Sequence, residues 1–532
     1  MPPDPIRLEV FKHLLASVAE EMGAVLRRSA FSPNIKERLD FSCAVFDEAG
    51  RLASQAAHIP VHLGAMPQAV LECLRSLDLG PEDAALLNDP YRGGTHLPDL
   101  TLVSPVFAES RLLGFVANRA HHADVGGMTP GSMPLAREVY QEGLIVPPVR
   151  LVREGELDRE ILDLVLANVR TPQERRGDLM AQMAANRFGR LRLQELAGRY
   201  GRAHIQEAMQ ALRAYSERMT RRLLAGLPDG TYRFEDRMDD DGVSPEPAMV
   251  RVAVTLLGDQ ATVDFSGTSP QRAGGINAVL PITLSATYYV FRCLVGLDIP
   301  SNSGCLEPVR VIAPEGSLVN PRPPAAVAAG NVETSQRIVD VLLGALAQAC
   351  PERIPAASQG TMNNLTLGGW DPFARRPFTY YETIAGGAGA MPGRPGAGAI
   401  HTHMTNTRNT PVEALESSYP LRVVEYRLRD GSGGAGRWRG GEGIVREIEL
   451  LTDSEVTILS DRRRSSPYGL GGGGPGTRGR NSLHRRGKRA ALPGKASLHG
   501  KKGDVIRIET PGGGGVGSLP SRRKRRRRQD SR

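Results

Sequence analysis

Aromatic residues make up only 5% of this 532-residue sequence, against 60 glycines and 39 prolines. So few large rings argue against a base-stacking nucleic-acid platform and against a plain helical bundle, and favour many turns and irregular loops. Cysteine is also scarce. Cys43, Cys73, Cys293, Cys305 and Cys350 are scattered, odd in number and never spaced C-x-x-C. That excludes a disulfide framework and a cysteine-based structural zinc site, and fits a reducing interior. No run approaches the roughly 18 consecutive apolar residues of a membrane span, and no charged stretch followed by an apolar run opens the chain. The expectation is a cytoplasmic protein with no membrane contact. Finally, no G-x-x-x-x-G-K-[ST] occurs, so no P-loop nucleotide site is encoded.

Charge of one sign is present but localised. The net charge is +9, yet the last 12 residues, SRRKRRRRQDSR, supply +7 of it, leaving the body at +2. The basicity belongs to the tail, which reads as a disordered, solvated terminus rather than a nucleic-acid surface. With 40% hydrophobic and 23% charged residues, the remainder is ordinary globular composition, and its length calls for two to four domains.

Residues 5–28 carry Leu8, Phe11, Leu15, Val18, Met22 and Val25 at three- and four-residue steps, an amphipathic helix. FSCAVFD and RLASQ flank Glu48-Ala49-Gly50 as a hairpin, and Gly64–Leu77 reads as a short helix. The expected class is α+β and multi-domain. An N-terminal α+β region (1–156) carries the candidate site, followed by a helical segment (157–227). Next come a β-rich part with one long helix capped by Thr334 (228–380) and a β-rich, glycine-rich part (381–515). The basic tail spans 516–532. The loop GLGGGGPGTRGRN (469–481) is expected to be flexible, with Arg462 and Arg463 nearby as candidate anion binders.

The most informative stretch is THLPDLTLVSPVFAESRLLGFVANRAHHADVGG (95–127). If Phe107 and Leu112 close a hairpin over 108–111, Asp99 falls opposite Ala120, and a one-residue bulge or a three-residue loop would pair it with His121. His96 lies just before Asp99 on a segment that Pro98 keeps out of a helix. Three potential ligands converge at one end of a ribbon, a mixed imidazole and carboxylate set that suits manganese, zinc or iron and leaves open coordination positions. His58 and His62 in HIPVHLG have the spacing of a helical zinc pair, but Pro60 between them favours a pocket-lining or hydrogen-bonding role. His401, His403 and Asn406 in HTHMTNTRNT are candidate substrate contacts.

HIPVHLGAMP, NDPYRGGTHLPDLTLVSPVF, HHADVGG, YQEGLIVPPVRL, AGNVETSQR, YYETIAGGAGA, HTHMTNTRNTPVEALE and GEGIVREIELL together resemble the hydantoinase B/oxoprolinase family. The resemblance implies a divalent metal held by a His-x-x-Asp, a later His and an upstream carboxylate. His96, Asp99 and His121 match, and Glu37 is the closest upstream candidate. It leaves His122 and Asp124 as candidate catalytic proton carriers. It further implies a separate A-type, ATP-binding subunit as partner and a small cyclic amide as substrate: ATP activates a hydantoin or 5-oxoproline ring, which this chain then hydrolyses. The alternative it leaves open is a subunit of an ATP-dependent acetone- or acetophenone-type carboxylase.

Overall fold

The computed structural model describes residues 4–56, 58–296 and 298–519. Most of the basic tail, from 520 on, therefore lies outside the described residues.

The chain opens with helix α1 (Pro5–Ser29), whose N-terminus is capped by Asp4, and the single turn α2 (Pro33–Lys36). A seven-stranded antiparallel sheet follows. Its strands are β1 (Phe41–Asp47), β2 (Leu52–Gln55), β3 (Ala84–Leu87), β4 (Asp99–Ala108), β5 (Arg111–His121), β6 (Val149–Arg153) and β7 (Glu156–Leu157). They lie in the order β2-β1-β5-β4-β3-β6-β7. Side chains alternate between the two faces of a strand, and here both faces are covered. Phe41, Cys43 and Val45 of β1 pack with Phe11, Leu15 and Val18 of α1. Ala44 and Phe46 pack with Met66, Val70 and Cys73 of α3 (Ala65–Ser76). A strand buried on both sides reads FSCAVFD, without a polar alternation.

Three helices, α4 (Arg159–Ala167), α5 (Pro172–Tyr200) and α6 (Arg202–Ala225), supply the expected helical segment. A buried amide network fastens α5 to the hairpin. Asn118 donates to Gln182 O and Asn186 Oδ1, Gln182 donates to Leu100 O, and Asn186 donates to Leu102 O. Every amide finds a partner, so the polar groups set one register between helix and sheet.

A second sheet (309–312, 260–264, 248–257 and 230–238, in that order) is covered by α8 (Ser335–Leu346), beside which lies α7 (Leu280–Val295). The sequence reading expected one helix here. α7 escaped it because LPITLSATYYVFRCLV is rich in β-branched and aromatic residues and buried on nearly all sides, which leaves no amphipathic stripe. Nor is Thr334 an N-cap. It has helical dihedrals, and a π-turn (Gly330–Thr334) runs straight into α8.

Two further sheets, one built around 364–371 and 376–382 and the other around 421–429 and 443–450, face each other over Leu365, Leu367, Tyr380, Ile444, Ile448 and Ile506. The glycine-rich loop is not a loose one. Gly515 N donates to Gly474 O, Gly434 N to Gly513 O and Gly513 N to Gly441 O, so several glycine-rich segments interleave backbone to backbone. A Cβ at Gly513 would lie 1.9 Å from Ala388 O, so only glycine fits there. The loop's own N–H groups are spent on carbonyls too, Leu470 N on Gly515 O, Gly474 N on Ala435 O and Gly476 N on Pro467 O, rather than held for an anion. Val516 bridges to Trp438 and Leu470, so ordered packing runs past residue 515.

Candidate metal centre

The hairpin closes over Glu109 and Ser110, both in left-handed conformation (φ 54° and 59°), a two-residue turn suited to the twist of a β-ribbon. Phe107 pairs with Leu112, but Val106 pairs with Gly114, so Leu113 is an extra residue that shifts the register by one. From there the pairing runs unbroken to Asp99 opposite His121. Without that bulge Ala120 would face Asp99. Leu113 therefore decides which residue meets the carboxylate.

His96 Nε2 lies 3.1 Å and His121 Nδ1 3.3 Å from Asp99 Oδ1. All three side chains are buried, and their ligand atoms lie within 4.8 Å of one another. His62 approaches the other carboxylate oxygen at 3.4 Å, and Thr95 Oγ1 donates to it at 2.6 Å. Burial pushes the Asp99 carboxyl up, but the encircling imidazoles, His96 first and His62 next, outweigh it and hold the group well below the usual carboxylate range. Burial lowers His62 and His121, so their rings favour the neutral form that can ligate.

The donor set fits a divalent cation. It offers one ionised carboxylate and two imidazoles at short range, with Thr95 orienting the carboxylate from behind. Among the described residues the buried Nδ1 of His96 and Nε2 of His121 have no hydrogen-bond partner, and neither has Asn331 Oδ1, whose amide nitrogen lies 3.1 Å from His96 Nε2. A cavity of ≈ 20 Å³ adjoins the group, lined by Asp40, His62, Asp99, His121, Asn331 and Tyr381 among others. That is room for one water-sized body.

Of the two upstream carboxylates, Asp40 rather than Glu37 faces the cavity. Glu37 ends α2, half-buried, and does not line the cavity, whereas Asp40 does. Pairing of β1 with β5 sets Phe41 opposite Ala120, and His121 N donates to Asp40 O at 3.0 Å. Burial raises the Asp40 carboxyl, with His121 and Arg38 pulling the other way.

His122 Nε2 lies 2.9 Å from Gln182 Oε1 within the α5 network, and burial drives its pKa to about 4. Asp124 accepts from the Arg170 guanidinium and backbone N–H at 2.9 and 2.8 Å. Neither lines the cavity. His58 and His62 separate as the proline required, in a single 3-10 turn at Pro60–His62. His62 joins the centre, while His58 Nδ1 accepts from Cys43 N and its ring meets Phe41.

The 401–410 loop divides its side chains. Met404, Thr405 and Thr407 line the small cavity, and His401 and Asn406 line a larger one outside it. His403 lies instead beside Tyr289 of α7. Arg462 is not an anion site, because its guanidinium is buried and paired with Asp236 at 2.6 Å and Asp340 at 2.7 Å. Arg463 binds Asn363 and Asn481.

Residues that the sequence reading passed over complete the site. Tyr381 stacks on the His121 ring (centroids 4.3 Å, interplanar angle 16°), and Arg38 lies 4.8 Å over the Tyr381 ring. Arg38 is fully buried and bonds Asn34, Tyr381 O, Thr383 and Arg408 O, while Asn34 donates to His121 O at 2.6 Å. One guanidinium thus knits the α2 turn, the 376–382 strand and the 401–410 loop around one imidazole. Nothing local in the sequence signals those long-range pairings.

A multi-domain α+β protein with a buried imidazole–carboxylate centre is the class that this fold and site define. The chain belongs to the hydantoinase B/oxoprolinase family, whose profile matches residues 4–519. It is 42% identical over 526 residues to the uncharacterized protein MJ0963 of Methanocaldococcus jannaschii, covering 97% of this chain and 91% of that one. It is 42% identical to 5-oxoprolinase 1 of Arabidopsis thaliana, again over 97% of this chain but only 42% of the relative. The chain thus spans about two fifths of the length of that 5-oxoprolinase. It is also 34% identical to a putative D-/L-hydantoinase component of the B type from Pseudomonas, covering 90% of it. Among solved structures, the ATP-dependent caprolactamase of Pseudomonas jessenii superposes with a TM-score of 0.91 at 28% identity, over 97% of this chain and 92% of that one. A nucleotide-free acetone carboxylase shares the fold, with a TM-score of 0.90 at 20% identity, over 97% of this chain and 76% of that one.

Proposed function

We propose that this chain is the B component of an ATP-dependent hydrolase that opens a small cyclic amide of the hydantoin or 5-oxoproline kind. The observation that carries the reading is the buried His96–Asp99–His121 group beside a water-sized cavity, in a chain whose relatives include 5-oxoprolinases and a hydantoinase component. A lactam is a poor electrophile, and hydrolysis needs an activated carbonyl carbon, a positioned water and stabilisation of the developing oxyanion. A divalent manganese, zinc or iron ion held by His96, Asp99 and His121 would acidify water and draw off negative charge. The chain's own groups do the rest. Asp99, kept ionised, balances the cationic charge, and Asp40 and His62, both on the cavity wall, are placed to take up and return a proton. In this reading His122 and Asp124 position the scaffold, the one through α5 and the other through Arg170.

No P-loop occurs in the sequence, so ATP is used by a partner, an A-type ATP-binding subunit. In support, 5-oxoprolinases carry the matched region inside chains more than twice its length, and the hydantoinase relative is named as one subunit of its enzyme. The compartment proposed is the cytoplasm. Among the described residues no helix is long and apolar enough to cross a membrane. The test is co-expression with an A-type subunit, followed by assay of ring opening. ATP-dependent opening of 5-oxoproline or a hydantoin, abolished by Asp99→Asn, is expected. ATP-dependent fixation of bicarbonate onto a ketone, without ring opening, would overturn the reading in favour of a carboxylase.

A further inference from the structure

The inner cavity poses a problem of size. At ≈ 20 Å³ it takes a water or an ion but not a five-membered ring. A cavity of ≈ 560 Å³ lies outside it, within the range that small-molecule sites occupy. The two share one wall residue, Thr407. This buried threonine is held by hydroxyl contacts to Thr383 at 2.8 Å and Thr405 at 3.2 Å. Thr407 thus borders both cavities.

The lining of the outer cavity mixes apolar and polar groups in the manner of a small-molecule site. Ile400, Val412 and the Tyr426 ring offer apolar surface, with His401 and Asn409 beside them. The only cationic side chain on the wall is Arg408. Its backbone is pinned on both sides, N–H to Arg38 O at 2.9 Å and carbonyl to Arg38 Nε at 3.3 Å. The side chain is exposed, and its guanidinium makes no hydrogen bond or ion pair among the described residues. A fixed backbone with an uncommitted fork at the edge of a cavity is suited to bidentate recognition of a carboxylate.

We propose that the outer cavity holds the substrate ring, with Arg408 gripping a carboxylate substituent and the ring's activated carbonyl turned past Thr407 toward the centre. The inference rests on the functional reading above and adds to it a second binding site and a residue that sets specificity. It predicts a preference for cyclic amides bearing a carboxylate over uncharged lactams of the same ring size.

Calorimetric titration of the full-length chain with L-5-oxoproline and with pyrrolidin-2-one tests this, comparing wild type, Arg408→Ala and Arg408→Lys. The expected result is 5-oxoproline binding weakened at least tenfold in Arg408→Ala and partly recovered in Arg408→Lys, with pyrrolidin-2-one affinity altered less than twofold. Equal affinity of wild type and Arg408→Ala for 5-oxoproline, equal losses for both ligands, or no binding of either to the wild type would overturn the proposal. Ring opening by the wild-type assembly is scored separately. Activity with an unchanged Arg408→Ala profile sinks this inference alone, whereas carboxylate-selective binding without ATP-dependent opening sinks the functional reading instead.

Discussion

Individual side chains here divide into those that face the centre and those that hold the ones that do. Tyr381 is of the second kind. Its ring fixes the plane of His121, and its hydroxyl reaches Asn364 at 3.0 Å. Tyr381→Leu should weaken metal binding about tenfold, as loss of an outer support typically does, whereas Tyr381→Phe, which keeps the ring, should bind as the wild type. Competition with a chelating dye measures both. His122 makes a contrasting case. His122→Ala strands the buried Gln182 oxygen, so a stability loss of about 1–3 kcal/mol is expected in denaturant titration, with metal content intact. Metal lost in step with stability would return His122 to the site. Glu142 offers a pH test. Burial pushes its carboxyl up to about 8, although two backbone N–H groups bond one oxygen. A carboxyl raised on folding is most favourable while protonated, so its contribution is complete below the ordinary glutamate value and disappears as pH climbs toward 8. Glu142→Gln should flatten the fall in stability between pH 5 and 8, and a slope identical to wild type would contradict this.

Among elements, the β4–β5 hairpin matters most, and its content was largely legible. The apolar runs, the four-residue connection and the two ends rich in His and Asp point to the ribbon, and either a bulge or a three-residue loop would pair Asp99 with His121; the structure uses the bulge. That bulge is Leu113, next to Gly114, where a Cβ would meet Phe46 O at 2.2 Å. Gly114→Ala is expected to cost about 1–3 kcal/mol through this overlap, read as a lower denaturation midpoint. What was not legible came from pairings between distant segments. Asp40 enters only because β1 lies against β5, and Arg38 and Tyr381 meet across more than 340 residues of chain. Glu37 is the candidate that the family resemblance offers, and that resemblance carries no information about the pairing. α7 was missed for a related reason, since a helix buried on nearly all sides has no polar face to betray its period.

At the scale of the molecule, the centre lies where the N-terminal sheet, the π-turn before α8 and the 401–410 loop converge, so three distant parts of the chain must fold together to build it. The glycine-rich segments show how composition misleads without partners: each reads as a mobile loop, yet together they interlock. Every group named at the centre lies among the described residues between 4 and 519, and removal of residues 521–532 should leave metal content and ring opening unchanged. The central claim is that β-ribbon register brings His96, Asp99 and His121 around one cation. Elemental analysis of purified wild type beside His121→Ala and Asp99→Asn tests it most directly. About one equivalent of a divalent transition metal in the wild type, and little in either variant, is the predicted result; equal metal in all three would contradict it.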